Sequence, residues 1–324
     1  MKYCQLCRTE YPEHETICPK DGLRLVAHGH RDPWIGVRLK NVYELETLIG
    51  AGGVGRVYKA TQSPLGRPVA VKIVEPTSDG TGMIKRFYRE ARMLAGVHHA
   101  NVVTIHDAGN TEAGIFYLVM ELLQGRSLAA YVPAGKGLSI PRAVEVFDQV
   151  CAGVGAAHSV GIVHRDLKPA NIFVADQTGG GEIVKIMDFG LAKAVGEGAT
   201  MLTRTGMFLG TPGYVAPELI GQSSSHADAR SDIYAMGAIL YFLLTGEEVQ
   251  PAGTSQQILA RQLMEKLELG GLASRGDLHP KMLRLLIEKA MALDPAARHE
   301  SCAALLAAFR FATSAVRPAA PRPS

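Results

Sequence analysis

Ile162-Val163-His164-Arg165-Asp166-Leu167-Lys168-Pro169-Ala170-Asn171 is the stretch on which the fold reading turns. An apolar, strand-like approach delivers a carboxylate, an ammonium group and an amide within a few residues. Asp188-Phe189-Gly190 follows 17 residues after Asn171 (188 − 171). A lone aspartate in a loop is ordinarily a turn former. The spacing from Asp166 to Asn171, with the Asp-Phe-Gly run behind it, argues against that ordinary reading.

Toward the N-terminus stands Ile49-Gly50-Ala51-Gly52-Gly53-Val54-Gly55-Arg56-Val57. Glycines in such a loop let the backbone close over phosphates and aim N–H groups at them. A dinucleotide-binding turn would need a helix directly after the glycines, but Val57-Tyr58-Lys59-Ala60-Thr61 reads as a strand. Lys72 is an isolated cation in an apolar strand (Val69, Ala70, Val71, Ile73, Val74). A buried ammonium is costly without an anion, and Glu90 on the following helical stretch is the best candidate partner. Toward the C-terminus come Gly210-Thr211-Pro212-Gly213-Tyr214, Ala216-Pro217-Glu218, Asp232 and Asp294-Pro295-Ala296-Ala297-Arg298.

This ordered set resembles the eukaryotic-type protein kinase family, with the look of its bacterial Hanks-type serine/threonine members, over about residues 41–312. The resemblance implies an α+β, bilobal fold: a β-rich N-lobe (41–123) and an α-rich C-lobe (124–312), with ATP and two magnesium ions between them. It implies Asp166, Lys168 and Lys72 as catalytic residues. Asp166 would accept or orient the proton of the substrate hydroxyl, and Lys168, which marks serine/threonine specificity, would contact the γ-phosphate. Asn171 and Asp188 would hold magnesium, while Lys72 paired with Glu90 would hold the α- and β-phosphates. Ile49, Gly50, Ala51, Gly52, Gly53, Val54 and Gly55 would cover the nucleotide. Val57, Ala70 and Phe173 would contact it, and Glu121 to Leu123 would be the hinge beside Met120. Glu218 is expected to pair with Arg298, Asp232 to cap the back of the catalytic loop, and Leu94, Ile105, His164 and Phe189 to form the apolar stack that aligns in the active enzyme.

The bulk numbers agree with a folded enzyme. The 324 residues suffice for more than one domain, and 47% hydrophobic with 20% charged side chains suits a globular chain. A net charge of +3, from 34 basic and 31 acidic residues, gives no reason to expect nucleic-acid binding. The chain opens Met1-Lys2-Tyr3-Cys4 without the apolar core of a signal peptide. Tyr234 to Leu244 is its longest apolar run, far short of the ~20 residues that cross a bilayer, and it reads as a buried helix. A cytoplasmic protein without membrane association is expected. Residues 27–40 read as a linker carrying the only tryptophan, Trp34, and 313–324 as a disordered Pro/Ala-rich tail.

Three of the five cysteines crowd into residues 1–26. Cys4-x-x-Cys7 and Cys18-Pro19-Lys20-Asp21 resemble a zinc ribbon in which Asp21 replaces the last cysteine. Cys4, Cys7 and Cys18 would bind zinc with Asp21 as fourth ligand, and His14 is the alternative fourth ligand. A redox pair or a metal-free head are the competing readings of these residues, and no βαβ pattern supports the first. Cys151 and Cys302 read as core filler.

The functional expectation is a kinase acting on serine and threonine hydroxyls of proteins, switched on by autophosphorylation between Asp188 and Glu218, with Thr203 or Thr205 the acceptor and Thr200 nearby. A homodimer could phosphorylate itself in trans. A pseudokinase scaffold would usually have lost Lys72, Asp166 or Asp188, and none is lost. A nucleic-acid-binding head is disfavoured because Lys2, Arg8, Lys20 and Arg24 are interspersed with acids.

Overall fold

The computed structural model describes residues 2–4, 9–20, 25–27, 32–52, 55–74, 81–189, 212–220, 227–250, 253–264, 267–273 and 280–314. The chain divides into two compact units. The first is built from Met1–Gly96 and Thr104–Leu123, and the second from Val97–Val103, Gln124–Gly190 and the chain from residue 198 onward.

The head in the first unit is a small antiparallel sheet of β1 (Lys2–Tyr3), β2 (Glu10–Tyr11) and β3 (Val26–Ala27) in the order β2-β1-β3. The main sheet has six strands: β4 (Arg38–Leu39), β5 (Tyr43–Gly52), β6 (Gly55–Gln62), β7 (Arg67–Val74), β8 (Ile105–Asn110) and β9 (Phe116–Glu121). Their order is β4-β5-β6-β7-β9-β8, with antiparallel pairing throughout. Helix α1 (Thr81–Ala95) buries Phe87, Ala91 and Leu94, the spacing expected of one helical face. One face of the sheet buries Leu45, Tyr58, Ala60, Val71 and Val119, and Trp34, Val37 and Leu48 pack against them.

Of the expected connector 27–40, residues 32–40 are therefore not free chain. Leu39 and Asp32 are buried, the N–H of Gly36 donates to the oxygen of Leu45 (2.7 Å), and the N–H of Leu45 to that of Val37 (3.0 Å). The apolar pair Trp34 and Val37 covers core that would otherwise meet water, which extends the N-lobe back to Asp32.

In the second unit, β10 (Gly125–Ser127), β11 (Ile172–Asp176) and β12 (Glu182–Ile186) form a three-stranded antiparallel sheet. Among the described residues of this unit the α-helices are α2 (Leu128–Tyr131), α3 (Ile140–Ser159), α4 (Ala229–Thr245), α5 (Ser255–Met264), α6 (Pro280–Ala290) and α7 (Cys302–Ser314). Helix α7 carries ordered chain two residues past the expected domain end at 312. Tyr234 to Leu244 is buried along its whole length, as its apolar composition required. The Asp228 carboxylate caps α4 by accepting from the N–H groups of Arg230 (2.8 Å) and Ser231 (3.3 Å). Gly246 ends it at φ 71°, where a Cβ would lie 2.2 Å from the oxygen of Pro133. Phe147 of α3 meets Phe309 of α7 edge-on at 5.5 Å. Among the described residues, no helix is long and apolar enough to cross a membrane.

Candidate active site

His164 to Asn171 lie between α3 and β11, and Asp188 follows β12. The short 3-10 turn Pro169–Asn171 brings Asn171 back onto Asp166, whose backbone oxygen and Oδ2 accept from Asn171 Nδ2 at 2.8 and 3.1 Å. A carbonyl oxygen can only accept, so the amide orientation is fixed and Oδ1 remains as its acceptor oxygen. Lys168 Nζ lies 3.0 Å from Asp166 Oδ2. Asp166, Lys168 and Asn171 thus form one cluster. The N–H of Met187 donates to the oxygen of Asn171 (2.9 Å), which ties this loop to the strand end carrying Asp188.

The loop is held from behind by a buried carboxylate. Asp232, in the first turn of α4, accepts from the backbone N–H groups of His164 (2.8 Å to Oδ2) and Arg165 (3.0 Å to Oδ1). Arg165 takes φ 65° and Asp188 φ 59°, left-handed conformations that the surrounding contacts must enforce. His164 is fully buried. Its Nδ1 accepts from the N–H of Asp166 (3.3 Å), so Nε2 carries the proton and donates to the oxygen of Met187 (2.8 Å). Burial lowers its pKa and keeps the ring neutral, despite the nearby Asp232 and Asp166. The ring packs at a tilt on that of Phe189, centroids 4.6 Å apart, which joins two of the four residues of the expected stack.

Two residues read as ordinary, or not read at all, complete this support. His158 Nε2 lies 2.8 Å from Asp232 Oδ2, and Cys302 Sγ lies 3.7 Å from His158 Nδ1. Burial opposes charge on His158, but the hydrogen bonds to Asp232 and Cys302 outweigh it and push the pKa up to about 10. Cys302 is buried, yet it is more than core filler. Its apolar helical spacing hid that contact, and a histidine in the last turn of α3 was the one available signal.

Glu218 and Arg298 pair as expected. Arg298 Nη1 donates to Glu218 Oε1 (2.8 Å) and Nη2 to Oε2 (2.6 Å). Nη1 also reaches the oxygen of Arg230, and Nε that of Ala292. Burial would raise the Glu218 carboxyl, but Arg298 holds it below the usual range.

Apart from Phe173, the remaining described nucleotide candidates lie in the first unit. Gly50 pairs with Val57, and Val57 in turn with Lys72, so all three sit at neighbouring positions on adjacent strands. Ala70 pairs with Met120 and Val69 with Glu121. The Glu121 carboxylate accepts from the N–H of Thr104 (2.7 Å). Ile49, Ala51 and Gly52 lie on β5, Leu123 follows β9, and Glu90 is on α1. Phe173 pairs with Ser127 and Lys185 in the second unit. Gly53, Val54, Cys7, Asp21, Thr200, Thr203, Thr205 and Thr211 lie outside the described residues.

In the head, Cys4 and Cys18 are buried in one cluster with Leu25, and Tyr11 packs against it. The Tyr11 hydroxyl is 3.3 Å from Cys18 Sγ. The His14 side chain is 79% exposed. Among the described residues, no group of three His, Cys, Asp or Glu side chains could hold a metal. A zinc-ribbon module is thus not shown by this arrangement.

Residues 43–309 match the family described as protein kinase domain. Serine/threonine-protein kinase PknA of Mycobacterium tuberculosis is 36% identical over 298 residues, covering 90% of this chain and 65% of that protein. Pkn1 of Myxococcus xanthus is 40% identical over 236 residues, covering 72% of this chain and 33% of its own. PrkC of Bacillus subtilis is 34% identical over 284 residues, covering 87% and 42%. The chain therefore spans between 31% and 65% of the length of the first such relatives. The crystal structure of the Mycobacterium tuberculosis PknI kinase domain superposes with a TM-score of 0.64 at 23% identity, over 85% of this chain and 98% of that one. Rad53 in complex with AMP-PNP gives 0.64 at 27% identity, over 82% and 64%. With a β-sheet N-lobe, a helical C-lobe and a loop of this construction, the chain belongs to the protein kinase domain family and carries a domain of its serine/threonine class.

Proposed function

We propose that the chain transfers the γ-phosphoryl group of ATP to serine and threonine hydroxyls of protein substrates. The Asp166–Lys168–Asn171 cluster, hung on Asp232, is the observation that carries this reading. Asp166 orients the substrate hydroxyl and takes its proton, and Lys168 supplies positive charge where the phosphoryl group passes. Asn171 Oδ1 and the Asp188 carboxylate are hard oxygen donors that fit magnesium. Bound magnesium would neutralise charge on the phosphates. Lys72, with Glu90, serves the α- and β-phosphates. Radiolabel transfer from ATP to a generic protein substrate should fall at least ~100-fold in Asp166→Asn and in Lys72→Met. Undiminished transfer in both variants would reject the assignment.

Activation by autophosphorylation on Thr203 or Thr205, in trans within a homodimer, belongs to the same proposal. Phosphate mapping on active protein should find the 188–218 segment modified. Unchanged activity with Thr200, Thr203 and Thr205 all replaced by alanine would reject it. The cytoplasmic location and the lack of membrane and nucleic-acid partners remain part of this reading.

The head is proposed to hold one zinc ion through Cys4, Cys7, Cys18 and Asp21. Burial of Cys4 and Cys18 in one cluster supports this, and the exposure of His14 favours Asp21 as fourth ligand.

A further inference from the structure

Resting on the kinase reading above, we propose that Asp32 is a positioning residue for nucleotide binding, bracing from behind the strand whose front carries Val57 beside Lys72. Its carboxylate is among the most buried in the described chain, with a side chain only 1% exposed. A carboxylate so enclosed requires partners. The Tyr58 hydroxyl donates to it at 3.0 Å (Oδ1) and 2.9 Å (Oδ2), and the N–H of Trp34 at 2.9 Å (Oδ1). Arg56 Nη1 lies 3.8 Å from Oδ2.

Strand alternation decides what this bracing does. Arg56, Tyr58 and Ala60 occupy one face of β6, and Gly55, Val57 and Lys59 the other. Tyr58 and Ala60 belong to the buried core, along with Val71 opposite Tyr58. Val57 stands opposite Gly50 on one side and Lys72 on the other, on the face turned away from that core. The glycine-rich hairpin at the tip of β5 and β6 has few side chains of its own to fix it. At its base, Asp32 grips β6 through Tyr58 and Arg56, while Gly36 and Val37 hydrogen-bond to β5 at Leu45. One short segment thereby holds both strands that form the glycine loop. Without it, the same hairpin would sample more positions and bind a phosphate chain less tightly.

The test separates positioning from plain stabilisation. Affinity for a fluorescent ADP analogue, KM for ATP, KM for protein substrate, kcat and Tm are measured for wild type, Asp32→Ala, Tyr58→Phe and the double variant, well below the lowest Tm. Each single variant should weaken analogue binding and raise KM for ATP by about tenfold, as expected for one lost hydrogen bond to a charged group. KM for protein substrate should stay unchanged, and the double variant should be no worse than Asp32→Ala. Lower Tm with unchanged analogue affinity would overturn the proposal. So would an equal loss in Arg38→Gln, which removes only the exposed pair with Glu44 on the same segment. If Asp32→Ala does not fold, Tyr58→Phe, which lacks one hydroxyl, carries the comparison. A wild-type chain that binds the analogue yet transfers no phosphate defeats the kinase reading and leaves the affinity comparison to decide Asp32.

Discussion

Asp232 accepts three hydrogen bonds, two from the catalytic-loop backbone and one from His158, so the charge state of a single imidazole bears on the geometry of the loop. His158 has an ordinary pKa of 6.5 and is raised to about 10 when folded. A base raised on folding adds stability that is complete below the unfolded value and is lost as pH rises through the folded one. The stability gap between wild type and His158→Gln should therefore be widest below pH 6.5 and close by about pH 10. Chemical denaturation across that range checks it, and a pH-independent gap would show that folding leaves the His158 pKa unchanged. Asp166, Lys168 and Asn171 were legible as residues because a local turn needs no distant partner to form. Cys302 was not, since nothing in an apolar helix face announces a contact 144 residues away.

Among elements, the β5–β6 hairpin and the Glu218–Arg298 link are the most exacting. Gly55 has φ 144°, and a Cβ there would lie 2.3 Å from the backbone oxygen of Ile73. Gly55→Ala must push β6 from β7, and it should cost about 1–3 kcal/mol of stability and weaken nucleotide binding, as read by Tm and analogue titration. Arg298→Ala leaves Glu218 without its cation and three backbone oxygens without their donor. A loss of about 3–5 kcal/mol in chemical denaturation is expected. Strands β6 and β7 and helices α1 and α4 were legible from the strand-like and helical runs around Val57, Lys72, Glu90 and Tyr234. Strands β10, β11 and β12 escaped because three to five residues carry too little pattern to separate from loop.

For the whole molecule, the head and the kinase unit differ in what holds them. The head is a sheet of two-residue strands over a cluster of Cys4, Cys18 and Leu25, too small a core to be stable by apolar burial alone. Elemental analysis should find one zinc per chain, lost in Cys4→Ser, with the head then open to proteolysis. A metal-free, protease-resistant head would reject the zinc proposal. Residues 27–40 looked like a linker because their composition is mixed and lacks period. Their role became visible only where Asp32 meets Tyr58, 26 residues on.

The sequence by itself determined the family, the catalytic loop and the strands and helix around the glycine loop and Lys72, because those follow from short-range spacing and alternation. Tertiary structure alone decided that His158 and Cys302 join Asp232 behind the loop and that Asp32 is fastened under the glycine hairpin. A buried polar group must find its partners wherever packing places them, and packing brings together positions that no local pattern links.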